Sequence, residues 1–188
     1  LMQASATGGD CAAEAESRLL ALDGGQDPDR RRRSLERRLH HAAAGVDRVE
    51  LMRRLLLLCC EQFDRDAMVS HAVALLREAP GDALALCALA EDAIERGQLE
   101  IAAEKLAQLD ALPQGYPRAA RLLAWLADQH ERRGHATQAA TSYEQLLALG
   151  ERTEDTSAIE DALEGLARIA EERGDPAAAL RLLRRRLP

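Results

Sequence analysis

Three stretches of the chain repeat one grammar: "ERGQLEIAAEKLAQLDALP", "ERRGHATQAATSYEQLLALG" and "EERGDPAAALRLLRRRLP" each set a charged turn with Gly before a run rich in Ala and Leu. Such a pattern restricts the fold sharply, because a lone pair of short amphipathic helices leaves most of its apolar stripe in water. A following pair must cover it. Aligning the turn positions Asp64, Gly97, Gly134 and Gly174 gives intervals of 33, 37 and 40 residues, the period of two-helix repeats rather than of one closed core. Composition agrees. Aromatics make up 2% of the 188 residues, with Trp125 the single Trp, and Ala and Leu dominate the apolar set, so strong helix formers replace the β-branched and aromatic runs of a sheet. The reading is an all-α protein of one domain, or of one domain with an attached terminal segment.

The first part of the chain reads differently. Cys11 to Leu22 is predicted as a short helix, Gly24 to Asp29 as a turn, and Arg30 to Ala44 as a helix with Leu35, Leu39 and Ala42 or Ala43 on its apolar stripe. Its polar side carries Arg30, Arg31, Arg32, Arg33, Arg37 and Arg38, a run read mainly as a solvated face pairing with the acidic protein itself. Residues 1–46 are therefore set apart as an N-terminal helical segment that caps the repeats, and residues 47–188 as four helix pairs.

Within 47–188 the expected boundaries follow from caps. Asp47 with Glu50 predicts a capped start for a helix from about Arg48 to Gln62, partnered by Ala67 to Glu78. Asp82 opens a helix ending near Arg96, with Gln98 to Leu112 as its partner after Gly97. Arg118 to Arg133 and Thr137 to Leu149 flank Gly134, and a polar link begins at Gly150. Ser157 with Glu160 predicts the last capping box, Gly174 the last stop, and Asp175 followed by Pro176 the start of the final helix.

These units resemble the tetratricopeptide repeat family, whose 34-residue motif pairs two helices through a turn Gly. In frames starting at Glu50, Ala83, Ala120 and Glu160, the third unit matches with Leu123, Leu126, Ala127, His130, Gly134, Ala139 and Tyr143. The second matches with Leu86, Leu89, Ala90, Ala93, Gly97, Ala102, Leu106 and Leu109, and the fourth with Leu163, Leu166, Ala167, Ala170, Gly174, Ala179 and Leu183. The first departs most, with Arg53 at an apolar site, and the scarcity of aromatics marks the whole set as degenerate. Small residues at Ala90, Ala127 and Ala167, facing Ala102, Ala139 and Ala179, are where paired helices should cross most closely. The resemblance implies a right-handed superhelical stack of antiparallel hairpins. An unrelated helical bundle using the same hairpins is the alternative.

The family's role implies a non-enzymatic protein-interaction or scaffolding module that holds a peptide or partner domain in a groove lined by first helices. Carried onto this chain, the groove positions are Leu84, Cys87, Glu91, Ile94 and Glu95, then Arg121, Ala124, Trp125, Asp128, Glu131 and Arg132, then Asp161, Glu164, Arg168, Glu171 and Glu172. Of these, Glu91, Glu95, Arg121, Trp125, Asp128, Arg132, Glu164 and Arg168 are the partner-binding candidates, with an acidic balance that favours a basic partner. Trp125 is either an apolar anchor or a plug between units. The clamp that one subclass uses for a terminal carboxylate is missing, since Arg54, Leu58, Cys87, Glu91, Arg121 and Trp125 occupy its places. A self-associating or purely structural domain of a larger protein, of bacterial type, is the other reading.

Other chemistries find little footing. A formal net charge of -7, from 32 acidic and 25 basic residues, gives no global attraction to nucleic acid or to an anionic membrane. The run Leu55 to Cys60 is far shorter than a membrane span, and with no leader pattern the reading is cytoplasmic; the start at Leu1 is read as a piece of a longer protein. Cys11, Cys59, Cys60 and Cys87 lack paired metal-ligand spacing. His40, His41, His71, His130 and His135 form no H-E-x-x-H motif, and neither a nucleophile elbow nor a phosphate loop occurs. No cofactor, metal or catalytic residue is expected.

Overall fold

The computed structural model describes residues 27–110 and 117–185. These form helices α1 (Pro28–His41), α2 (Val46–Glu61), α3 (Arg65–Glu78), α4 (Ala83–Glu95), α5 (Leu99–Asp110), α6 (Pro117–Arg132), α7 (Ala136–Thr153), α8 (Thr156–Glu172) and α9 (Pro176–Arg185), with no strand among the described residues. The helix expected over Cys11 to Leu22 lies outside them.

The chain divides into two compact units, Leu1–Phe63 and Asp64–Pro188. In the first, α1 packs on α2. Leu35 of α1 joins Leu51, Leu55 and Leu58 of α2 in a small core, with Leu39 and Ala42 against it. Asp27 caps α1 by accepting from the Asp29 and Arg30 amides, and Arg48 Nη1 donates to the Leu39 carbonyl at 2.9 Å. The arginines of α1 are exposed or half-buried, and Arg32 pairs with Glu36 one turn on.

In the second unit each helix packs on its neighbour, from α3 on α4 through α8 on α9. First helices also meet: α4 touches α6, and α6 touches α8. Antiparallel hairpins joined by short turns produce this arrangement, because each first helix must then lie against both the second helix before it and the first helix of the preceding pair. One continuous core follows, running from Leu86 and Ala90 through Leu106, Leu123, Leu126 and Tyr143 to Ala162 and Ile169. The six alanines expected at the closest crossings are all buried. Each fully buried Leu in such a core, Leu126 and Leu146 among them, contributes about 1.5–3 kcal/mol relative to exposure.

Several local expectations need correction. The α2 cap is Gly45 at φ 139°, without a side-chain cap, so Asp47 falls inside the first turn. The left-handed residue between α2 and α3 is Phe63 at φ 55°, one before Asp64; Asp64 instead caps α3 by accepting from Ala67 N. Asp155, not Ser157, caps α8, accepting from Ala158 N at 3.2 Å. Helix α7 does not stop at Leu149. It runs through Gly150 to Thr153 and ends at Glu154 in the left-handed region. The reason is packing: a Cβ on Gly150 would lie 2.9 Å from Ile159 Cγ1, so this glycine serves close approach of α8 rather than termination. The added turn of helix accounts for the 40-residue interval between Gly134 and Gly174. At the other end, Asp175 caps α9 as expected, accepting from Ala178 N at 2.9 Å.

Candidate functional site

Helices α4, α6 and α8, touching in succession, make a common wall, and the candidate residues are distributed along it unequally. On α4, Leu84, Cys87 and Ile94 do not face outward: all three are buried, and Cys87 and Ile94 belong to the main core. The helix is flanked by α3, α5 and α6, which leaves only a narrow polar strip. Burial pushes the Cys87 thiol up to about 12, against the opposing pull of Arg118 and with a smaller push from Glu91. Glu91 is half-buried, and Arg118 of α6 stands 3.7 Å from it. Glu95 is exposed and pairs with Arg65 of α3, which also reaches the buried Asp92 at 3.5 Å.

On α6 the exposed Arg121 and half-buried Trp125 lie one turn apart. Trp125 packs its inner side against the core, so it plugs and faces out at once. Asp128 pairs with Arg132 at 2.9 Å on the same helix. Glu164 of α8 is exposed.

One polar cluster joins three helices. Arg168 of α8 donates from Nε to Glu131 Oε1 at 3.0 Å and from Nη2 to Oε2 at 2.6 Å, a bidentate pair across the α6–α8 seam. Tyr143 of α7 donates its hydroxyl to Glu131 Oε2 at 2.8 Å and accepts from Arg168 Nη2 at 3.1 Å. Burial alone would raise the Glu131 carboxyl; the hydrogen bonds from Arg168 and Tyr143 outweigh it and hold the carboxyl below its usual range. Burial and the adjacent carboxylate push Tyr143 up, and the Glu131 hydrogen bond holds Arg168 more firmly charged. The Tyr143 ring lies over Gly165 of α8, where any Cβ would overlap it. Sequence reasoning placed Glu131 and Arg168 on the wall but did not pair them. The available signal was an acid and an arginine 37 residues apart on successive first helices.

His130 is buried near the end of α6, its Nδ1 without a hydrogen-bond partner and its ring centroid 5.9 Å from that of His135. Burial lowers its pKa first and His135 second, with Glu100 opposing, so the ring is held neutral. No group of three or more His, Cys, Asp or Glu is placed to hold a metal among the described residues, and Cys59, Cys60 and Cys87 are in no disulfide. No described helix is long and apolar enough to cross a membrane.

No family model matches the sequence, and no curated protein does. Solved structures do resemble the fold. MamA 41-end from Desulfovibrio magneticus RS-1 matches with a TM-score of 0.61 at 14% identity, over 97% of this chain and 94% of that one. A second MamA crystal structure matches with a TM-score of 0.62 at 16% identity, over 88% of each chain. TPR-like repeats of a putative kinesin light chain from Podosopora anserina match with a TM-score of 0.53 at 19% identity, over 91% of this chain and 89% of that one. At these identities the likeness shows the fold, an all-α right-handed stack of tetratricopeptide-like hairpins.

Proposed function

We propose that the second unit is a non-enzymatic docking module that holds a basic peptide, or a basic segment of a partner protein, along the wall of α4, α6 and α8. The observation that carries this reading is the unbroken succession of these three first helices; in the tetratricopeptide frame Glu91, Glu95, Asp128 and Glu164 fall at groove positions along it. Arg118, Arg65 and Arg132 already neighbour three of these carboxylates, but such exposed pairs are worth only about 0–1 kcal/mol and exchange readily for a ligand's cations. Trp125, open on its outer side between Arg121 and Asp128, supplies the apolar anchor.

Calorimetric titration with a synthetic Lys/Ala peptide, and with its Glu/Ala counterpart as control, tests the reading. The Lys peptide should bind, and Glu91→Lys with Asp128→Lys should weaken it about tenfold, the equivalent of about 1.4 kcal/mol. A charge-matched variant on the second helices, Glu104→Lys with Glu144→Lys, should leave the affinity unchanged. Equal losses in both variants would reduce the effect to net charge and overturn the proposal.

A further inference from the structure

The third helix pair carries an imidazole where its neighbours carry a methyl group: His130 occupies the register that Ala93 fills in the second pair and Ala170 in the fourth. The ring is 4% exposed, and its Nδ1 has no hydrogen-bond partner. A neutral imidazole tolerates this, with one nitrogen left bare. A cationic one does not, because both nitrogens then carry hydrogens and a buried N–H without an acceptor is costly. The groups that bear on the ring from its surroundings add to that cost: Arg133 in the following turn and His135 at the start of α7, its ring centroid 5.9 Å away, oppose a positive charge, and only Glu100 of α5, exposed to solvent, favours one.

The ring sits beneath the turn that joins α6 to α7. The His130 carbonyl accepts from the His135 amide at 2.9 Å and from the Arg133 amide at 3.2 Å, while Arg133 Nη1 reaches back to the Gly97 carbonyl at 2.9 Å, so the end of α6 and two successive turns form one connected strap. The next residue, Glu131, receives Tyr143 of α7 and Arg168 of α8.

We propose that His130 is an acid-sensitive latch: protonation drives the ring out of the core, the last turn of α6 opens with it, and Glu131 is withdrawn from Arg168 and Tyr143, which releases the seam between α6 and α8. The seam does not fail in mild acid by itself, since its own partners hold the Glu131 carboxyl below the usual range and therefore ionised. The direction follows from linkage. A ring that takes up its proton less readily in the closed form than in the open one keeps the latch shut above pH 6.5, and the open form gains as pH falls toward the folded value. One histidine with an open-state pKa of about 6.5 permits at most about a tenfold gain between pH 7.5 and 5.5. The latch belongs to the fold and does not depend on what the wall binds.

Hydrogen exchange read by mass spectrometry on the full chain, at pH 7.5 and 5.5 and corrected for intrinsic rates, tests it. Residues 126–139 and 165–172 should exchange ahead of residues 83–95 of α4, the mark of a local opening, and their opening should rise about fivefold at pH 5.5. In His130→Phe, and in His130→Ala, which restores the residue of the neighbouring pairs, the rise should vanish. Should neither variant fold, NMR titration of the histidine ring carbons in the unmodified chain decides, with His130 expected to titrate below 6.5. Exchange of these segments only together with α4, a rise that persists in a folded His130 variant, or a His130 ring that titrates at 6.5 or above overturns the proposal.

Discussion

Gly165→Ala sets two familiar effects against each other. In an exposed helix interior the substitution stabilises by about 1 kcal/mol through helix propensity. Here the added Cβ would enter the ring of Tyr143. That ring cannot swing aside cheaply, because its hydroxyl is held by Glu131 at 2.8 Å and by Arg168 at 3.1 Å, so the overpacking penalty falls near the upper end of its usual range, about 3 kcal/mol. The net expectation is destabilisation by about 2 kcal/mol, or about 4–8 °C in thermal midpoint for a chain of this size. Urea unfolding followed by Trp125, the single tryptophan and a residue of α6, reports on the unit that contains the contact. In a Tyr143→Ala background the ring is gone, and Gly165→Ala should become stabilising by about 1 kcal/mol, a coupling of about 3 kcal/mol between the two sites. If Gly165→Ala is neutral or stabilising in the wild-type background, the seating of Tyr143 on α8 is wrong.

Three further outcomes are expected. His130 has a folded pKa below its unfolded one, so its contribution to stability is complete above pH 6.5 and is lost as pH falls through the folded value; His130→Phe should flatten the decline in thermal midpoint below pH 6.5. With Cys59 buried and Cys87 raised to about 12, both should resist thiol reagents at pH 8 and react on unfolding, whereas rapid native labelling of Cys87 by mass spectrometry would contradict its burial. Phe63 holds φ 55° with its side chain exposed, so Phe63→Gly should stabilise the chain by about 0.5–1 kcal/mol in urea unfolding, and a loss of stability would show that the ring matters.

The repeat architecture was legible because turn glycines and alanine crossings are local signals with a fixed spacing. Gly97, Gly134 and Gly174 all take positive φ, and Ala90, Ala127 and Ala167 are buried where close helix approach requires them. Gly150 was misread for the same reason: in sequence a glycine that ends a helix and one that admits a neighbour look alike, and only the position of Ile159 separates them. The wall was legible in outline. Its charged residues were identifiable from the frame, but the inward turn of Leu84, Cys87 and Ile94 depends on how far α4 rotates against three neighbours, and the Glu131, Tyr143 and Arg168 cluster depends on three helices converging. Neither is encoded in any one period.

The seams between successive first helices are not fastened alike. Between α6 and α8 a forked, doubly bonded arginine and a phenol fix the two axes, whereas between α4 and α6 the wall's polar link is Arg118 at 3.7 Å from Glu91. Elastic compliance is therefore expected to be greater at the earlier seam, with the last two pairs moving more nearly as one piece.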